Sequence, residues 1–331
     1  MLLKPPRLKP GDTLGVIAPS SPVVGARPEA VRRARAYLAA KGFRLRFASQ
    51  VRRTHGHAAG TIRERAEALH AMFRDPRIAG ILTFWGGYQS HQLLEYLDYG
   101  LIRRHPKALL GYSDITALQA GIFARTGLVG FSGPGLVTFL PPVVPSHTWE
   151  HFERVVMHPV VPLTLRPSRT WSENVWWKRK DGRMIFRRSP PWTPYRHGRA
   201  AGRLLGGNLG TFLLLHGTPY WPDLRGAILF AEEDETETTG TVDRLFTKLR
   251  QIGALREIRG LVIGRFPSAV GFSRRDSLKM ILDDALRGTR FPVLTGVEFG
   301  HTQPLVTLPI GVRVRLDARR RAITLLEAGV R

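Results

Sequence analysis

Four short segments carry side chains able to open an acyl bond. Ser113 lies in Gly111-Tyr112-Ser113-Asp114-Ile115-Thr116, after an apolar strand and before a helix. A tight strand–serine–helix turn lifts the hydroxyl above the sheet edge, as in a nucleophile elbow. The match to G-x-S-x-G is incomplete, because Ile115 stands where the second glycine belongs. The same residues equally suit a plain helix cap by Ser113 or Asp114, and the motif alone does not choose. The Asp114 amide, at a helix N-terminus, is placed to stabilise an oxyanion. Gly86 and Gly87 end the preceding predicted strand and leave backbone amides open for a second donor. Without Ser113 nearby they read as an ordinary turn. His301, in Phe299-Gly300-His301-Thr302-Gln303-Pro304, suits a general base on a short loop. The run from Phe230 to Glu237 holds Glu232, Glu233, Asp234, Glu235 and Glu237 at the end of a buried strand. One carboxylate there can orient a histidine, or the run is simply a solvated acidic loop. Glu232 and Glu233 point to opposite faces of a strand. Both faces are apolar, so parity does not select between them. His55-Gly56-His57 lacks a third ligand, and no metal site is expected.

These residues need a scaffold, and the first 160 residues supply one by alternating strand and helix. Expected strands are Thr13–Ala18, Phe43–Ala48, Ile78–Phe84 and Ala108–Gly111. Between them run helical patterns through Ala30–Leu38, Arg63–Phe73, Leu93–Leu97 (capped by Ser90) and Ile115–Arg125. Such alternation implies a parallel sheet with helices on both faces, and ligands beyond the carboxyl ends of its strands. Residues 161–200 are rich in Pro, Arg and Trp without a period and read as a linker with an irregular excursion. Residues 201–331 read as a smaller mixed α+β domain. The expected organisation is an N-terminal α/β domain over 1–160, the linker, and a C-terminal domain.

Length and composition bound the function classes. The chain has 331 residues, 43% of them apolar, which suits two domains with sizeable cores. No apolar run approaches the ~20 residues of a membrane span. The N-terminus, Met1-Leu2-Leu3-Lys4-Pro5-Pro6, lacks the apolar core of a signal peptide, and cysteine is absent. A cytoplasmic protein without disulfides is expected. The net charge of +24 comes from scattered arginines with no aromatic-interleaved stripe. It reads as an arginine-rich surface more readily than as a nucleic-acid interface.

Taken together, the segments resemble the LD-carboxypeptidase family of serine peptidases, which includes murein tetrapeptide carboxypeptidases and microcin C immunity peptidases. The resemblance rests on Gly15–Pro22, Gly86-Gly87-Tyr88, Gly111–Leu118, Gly202–Leu209, the acids after Phe230, Gly300–Pro304 and Leu308–Gly311. It implies a flavodoxin-like N-terminal domain carrying Ser113 as nucleophile. A C-terminal domain would carry the orienting acid and His301 as base. By the family's acid–Asp spacing, with Asp-Arg ten residues on, the acid is Glu233. The amides around Gly86, Gly87 and Asp114 would form the oxyanion hole. It further implies a homodimer, no cofactor, and removal of a terminal D-alanine from a murein peptide. Phe84-Trp85-Gly86-Gly87-Tyr88-Gln89 departs from the murein-recycling pattern and lies closer to the immunity branch, whose members cleave peptidyl-nucleotides. Trp171, Trp176 and Trp177 then offer a base-stacking platform, or pack the linker onto the domains. An α/β-hydrolase esterase, which shares the order Ser…acid…His, would instead hold all three residues on one sheet.

Overall fold

The computed structural model describes all residues except 1, 24, 174, 175, 177, 178 and 181. Strand β1 (Thr13–Ile17) is apolar on both faces, as a central parallel strand must be. It pairs in parallel with β2 (Arg44–Phe47) and β3 (Gly80–Thr83). Next come β4 (Ala108–Gly111), parallel to β3, and β5 (Phe131–Ser132), parallel to β4. The crossovers carry α1 (Pro28–Ala40), α2 (Ile62–Arg74), α3 (Tyr99–Arg104) and α4 (Ile115–Thr126). A Thr61–Glu64 capping box starts α2, an arrangement that contributes about 1 kcal/mol. The spatial order 2-1-3-4-5 is the flavodoxin-like winding. One expected helix differs. Residues Ser90–Tyr96 form a 3-10 helix without a side-chain cap, because the Ser90 hydroxyl is bound to Asp114.

The chain continues with β6 (Leu163–Leu165), an antiparallel pair of β7 (Thr170–Trp171) and β8 (Arg187–Arg188), then β9 (Thr193–Arg196) and β10 (Arg199–Asn208). It goes on through β11 (Ile228–Glu232), β12 (Gly260–Gly264), β13 (Val293–Val297), β14 (Leu308–Pro309), β15 (Arg313–Asp317) and β16 (Ala322–Leu325). Among the described residues these build a second sheet in the order β6-β16-β15-β10-β11-β12-β13-β9, parallel from β10 to β13. The stretch read as a linker therefore supplies both edges of this sheet. Edge strands tolerate the Pro194 and arginines that hid them, since one side of their backbone needs no partner.

Two features join the halves. β14 returns to the first sheet and pairs antiparallel with β5, closing that edge. At the other seam, the Asn208 amide donates to Thr116 Oγ1 (3.0 Å), on α4. Gly207 has φ +146°, and a Cβ there would sit 2.3 Å from Thr116 Oγ1. Glycine is what lets the end of β10 reach α4 so closely.

Candidate active site

Ser113 sits at the carboxyl end of β4 with φ +64°. A non-glycine residue held there costs on the order of 1 kcal/mol or more and persists only where its surroundings impose it. Here the Asp114 carboxylate accepts from the Ser90 amide (2.8 Å), and the Ser90 hydroxyl donates to the Asp114 carbonyl (2.5 Å). Asp114 caps α4 without any side-chain bond to the helix. The plain-cap reading of this turn therefore fails, and the strain points to a placed hydroxyl. Ser113 Oγ makes no hydrogen bond among the described residues.

Gly86 lies directly against this turn. A Cβ built there would stand 2.8 Å from Ser113 Oγ and 3.2 Å from the Asp114 amide nitrogen. The first of these distances is shorter than a Cβ contact tolerates, so only glycine lets this backbone lie against Ser113 and the Asp114 amide. Gly87 has φ +146°, with Ser20 and Ser21 crowding its Cα. These loops follow β1 and β3, the strands on either side of the topological switch point.

Arg65, which sequence reasoning passed over, holds those loops together. It is buried, and its guanidinium donates to the carbonyls of Pro19 (2.9 Å), Gln89 (3.1 Å) and Gly60 (3.2 Å) and to Gln92 Oε1 (2.8 Å). Burial draws its pKa below the usual value, and the charge of Asp114 opposes that. Its position on an arginine-rich helix gives no signal that it alone points inward.

His301 follows β13, and its Nδ1 lies 2.7 Å from Glu232 Oε2. Gly300, at φ +90°, leaves room for that carboxylate, which a Cβ would meet at 2.1 Å. Tyr112, the neighbour of Ser113, packs edge-on against the His301 ring at 5.2 Å. Burial by itself would depress the imidazole. The charge and hydrogen bond of Glu232 outweigh it, aided by Asp234 and Glu235, and the pKa stands at about 9.

The acid on His301 is thus Glu232, and the expectation of Glu233 is corrected. Glu233 occupies the opposite face, as adjacent strand residues must. There it accepts from the Gly210 amide (2.5 Å) and from Asn208 Nδ2 (2.8 Å). Burial, reinforced by the charge of Glu232, pushes its carboxyl up to about 8. Asn208 also went unassigned in the sequence; its position after two glycines at a strand end was the available signal.

Trp176 is buried, with Arg33 of α1 at 5.8 Å from its ring centroid. That contact fits the packing role for this tryptophan. Trp171 is half-buried beneath Arg265 (5.3 Å). Together they border a cavity of about 220 Å³ that Ser113 and His301 do not line. Ser172 pairs through its backbone with Gln303, which ties the edge of this cavity to the His301 loop. Trp177 lies outside the described residues. No group of three or more metal-ligating side chains occurs among the described residues. Ser113 stands on the first sheet while Glu232 and His301 stand on the second, so the one-sheet esterase arrangement does not apply.

The chain thus joins a flavodoxin-like sheet ending at Ser113 to a second sheet bearing the Glu232–His301 pair. The chain belongs to the LD-carboxypeptidase family: the model of its N-terminal domain matches residues 14–133 and that of its C-terminal domain residues 201–316. It is 35% identical over 312 residues to the putative carboxypeptidase YocD of Bacillus subtilis (strain 168), covering 94% of this chain and 95% of that one. It is 33% identical over 329 residues to the microcin C7 self-immunity protein MccF of Escherichia coli (96% and 94% covered). A probable murein peptide carboxypeptidase of Bacillus subtilis (strain 168) is 32% identical over 329 residues (99% and 95%). Among solved structures, MccF in complex with aspartyl sulfamoyl adenosine superposes with a TM-score of 0.92 at 32% identity, covering 99% of this chain and 100% of that one. No described helix is long and apolar enough to cross a membrane.

Proposed function

We propose that this chain is a cytoplasmic serine carboxypeptidase that hydrolyses the amide before a terminal D-amino acid, as in a murein tetrapeptide. The observation that carries the reading is the Glu232–His301 pair at 2.7 Å, whose imidazole packs on Tyr112, the chain neighbour of a serine held at positive φ. His301 takes the proton of Ser113 as its oxygen attacks the amide carbonyl, and the carbonyl electrons move onto oxygen. The amides around Gly86, Gly87 and Asp114 receive that oxyanion, and the lack of a Gly86 side chain lets the backbone come close to Ser113. The imidazolium, stabilised by Glu232, gives its proton to the leaving amine. Water then releases the acyl group from Ser113 with His301 again as base. The sequence needs no cofactor. Basic residues near the site recognise a free terminal carboxylate on the substrate, and the active form is a homodimer.

A second substrate class has its own support. The Trp171–Trp176 cavity offers an aromatic border for a nucleobase, and the MccF relative was solved with an aminoacyl sulfamoyl nucleoside. Incubation with a murein tripeptide–D-alanine and with aspartyl sulfamoyl adenosine, followed by mass spectrometry, separates the two. Release of D-alanine supports the first class and release of the sulfamoyl nucleoside the second. Turnover of neither overturns the proposal.

A further inference from the structure

A second cavity, of about 630 Å³, opens on the face of helix Ser146–Phe152 and the segment from β6 to β7. None of Ser113, Glu232 and His301 lines it. Its charged lining is lopsided: Arg154, Arg166 and Arg169 against Glu150. None of these three arginines has an ion-pair or side-chain hydrogen-bond partner among the described residues. Beside them, His147 and His151 pack one turn apart with ring centroids 4.5 Å apart and planes tilted by 51°. His147 Nε2 and His151 Nδ1 are buried with no hydrogen-bond partner. Unsatisfied buried polar atoms call for an explanation, and three unpaired guanidiniums disfavour a cation as the answer.

We propose that this cavity binds a phosphorylated small molecule through Arg154, Arg166 and Arg169, with His147 and His151 completing the anion site. The guanidiniums supply charge-assisted, forked donors, which suit phosphate oxygens. The volume exceeds that of the phosphoryl group alone and falls within the range of organic-ligand sites. Val143, Pro145, Pro167 and Phe186 give the remainder an apolar border. The surrounding protein favours the neutral form of both histidines. Burial lowers His151 to about 3, with His147 and Arg154 adding to the effect. Burial also lowers His147, against the opposing charges of Glu298 and Glu150. A bound anion reverses the local field, so binding takes up protons and tightens as pH falls.

Isothermal titration of the full chain tests this with inorganic pyrophosphate, glucose 6-phosphate and, as neutral control, glucose. Two buffers of different ionisation heat at pH 7 report proton uptake. The expected result is saturable binding of at least one phosphorylated probe, none of glucose, and net proton uptake. The Arg166→Gln/Arg169→Gln variant should bind about tenfold or more weakly with an unchanged melting temperature. The Ser113→Ala variant should bind as tightly as the unsubstituted chain, which separates this site from the proposed catalytic one. No saturation by either phosphorylated probe up to about 10 mM, or undiminished affinity in the arginine variant, overturns the proposal. So does loss of binding in Arg256→Gln/Arg290→Gln, which would move the site to the arginine cluster around Phe291 and Pro292.

Discussion

Replacing Glu232 by Gln removes the charge beside His301 and leaves the burial. The imidazole stands at about 9 rather than the ordinary 6.5. That difference corresponds to roughly 3 kcal/mol of preference for the imidazolium. An imidazolium forms as Ser113 attacks, so losing the preference raises the barrier by a similar amount, or about two orders of magnitude in kcat. A glutamine can also hold the wrong tautomer, and loss of tautomer control in a triad reaches ~10⁴. Glu233→Gln is a contrasting change. It keeps an acceptor for the Gly210 amide, loses the bond from Asn208 Nδ2, and ends the burial of an ionisable group. Its turnover should stay within about tenfold. The pH profile gives a second readout. His301 acts as base only when neutral, so kcat/KM of the unsubstituted chain should rise as pH climbs towards about 9. In Glu232→Gln that rise should move below neutrality. Steady-state kinetics on both variants from pH 6 to 10 decide the matter. A larger loss in Glu233→Gln, or an unmoved rise in Glu232→Gln, would refute the assignment of the acid.

Ser113→Ala should remove measurable turnover, whereas Ser113→Gly should remove turnover and also raise the unfolding free energy by about 1 kcal/mol, because glycine tolerates φ +64°; denaturant melts check the second part. Gly86→Ala should cost at least ~10² in kcat/KM by driving a methyl against Ser113 and displacing it, and near-normal activity would count against the oxyanion placement. Unfolding free energy should fall between about pH 6.5 and pH 8, above the range in which the depressed His151 and His147 oppose the trend. Glu233 (about 8) and His301 (about 9) both have raised native pKa values, so the native state binds more protons than the unfolded one in that window. Glu233→Gln should make that fall shallower. Light scattering at micromolar concentration should give the mass of a homodimer.

The parts legible in the sequence are those whose signal is local. Ala108–Gly111 and the helix from Ile115 form as expected, because an apolar run, a tight turn and a periodic run lie in sequence order. The strained Ser113 is visible in the same way. What decided between Glu232 and Glu233 is not local. It depends on which face of β11 the His301 loop covers, and that follows from the packing of β13 beside β12. The edge strands β6 and β9 escaped for a related reason. Each is three or four residues long and is defined by a partner about 100 or more residues away, Leu325 for Leu163 and Leu294 for Pro194. Arg65 shows the same limit: one arginine among many, singled out by the loop carbonyls that the folded chain gathers around it.

The return of β14 to the first sheet has a consequence for how the protein comes into being. During synthesis the first 160 residues emerge with all five parallel strands already able to pair, yet the outer side of β5 stays bare until residues 308 and 309 arrive. A bare strand edge invites pairing with other nascent chains, so a fragment ending before residue 308 should be far less well behaved than its apolar core suggests. The segment that seals this edge follows His301 by only seven residues. The strand that seals this edge and the loop that carries His301 are therefore completed almost together as the chain grows.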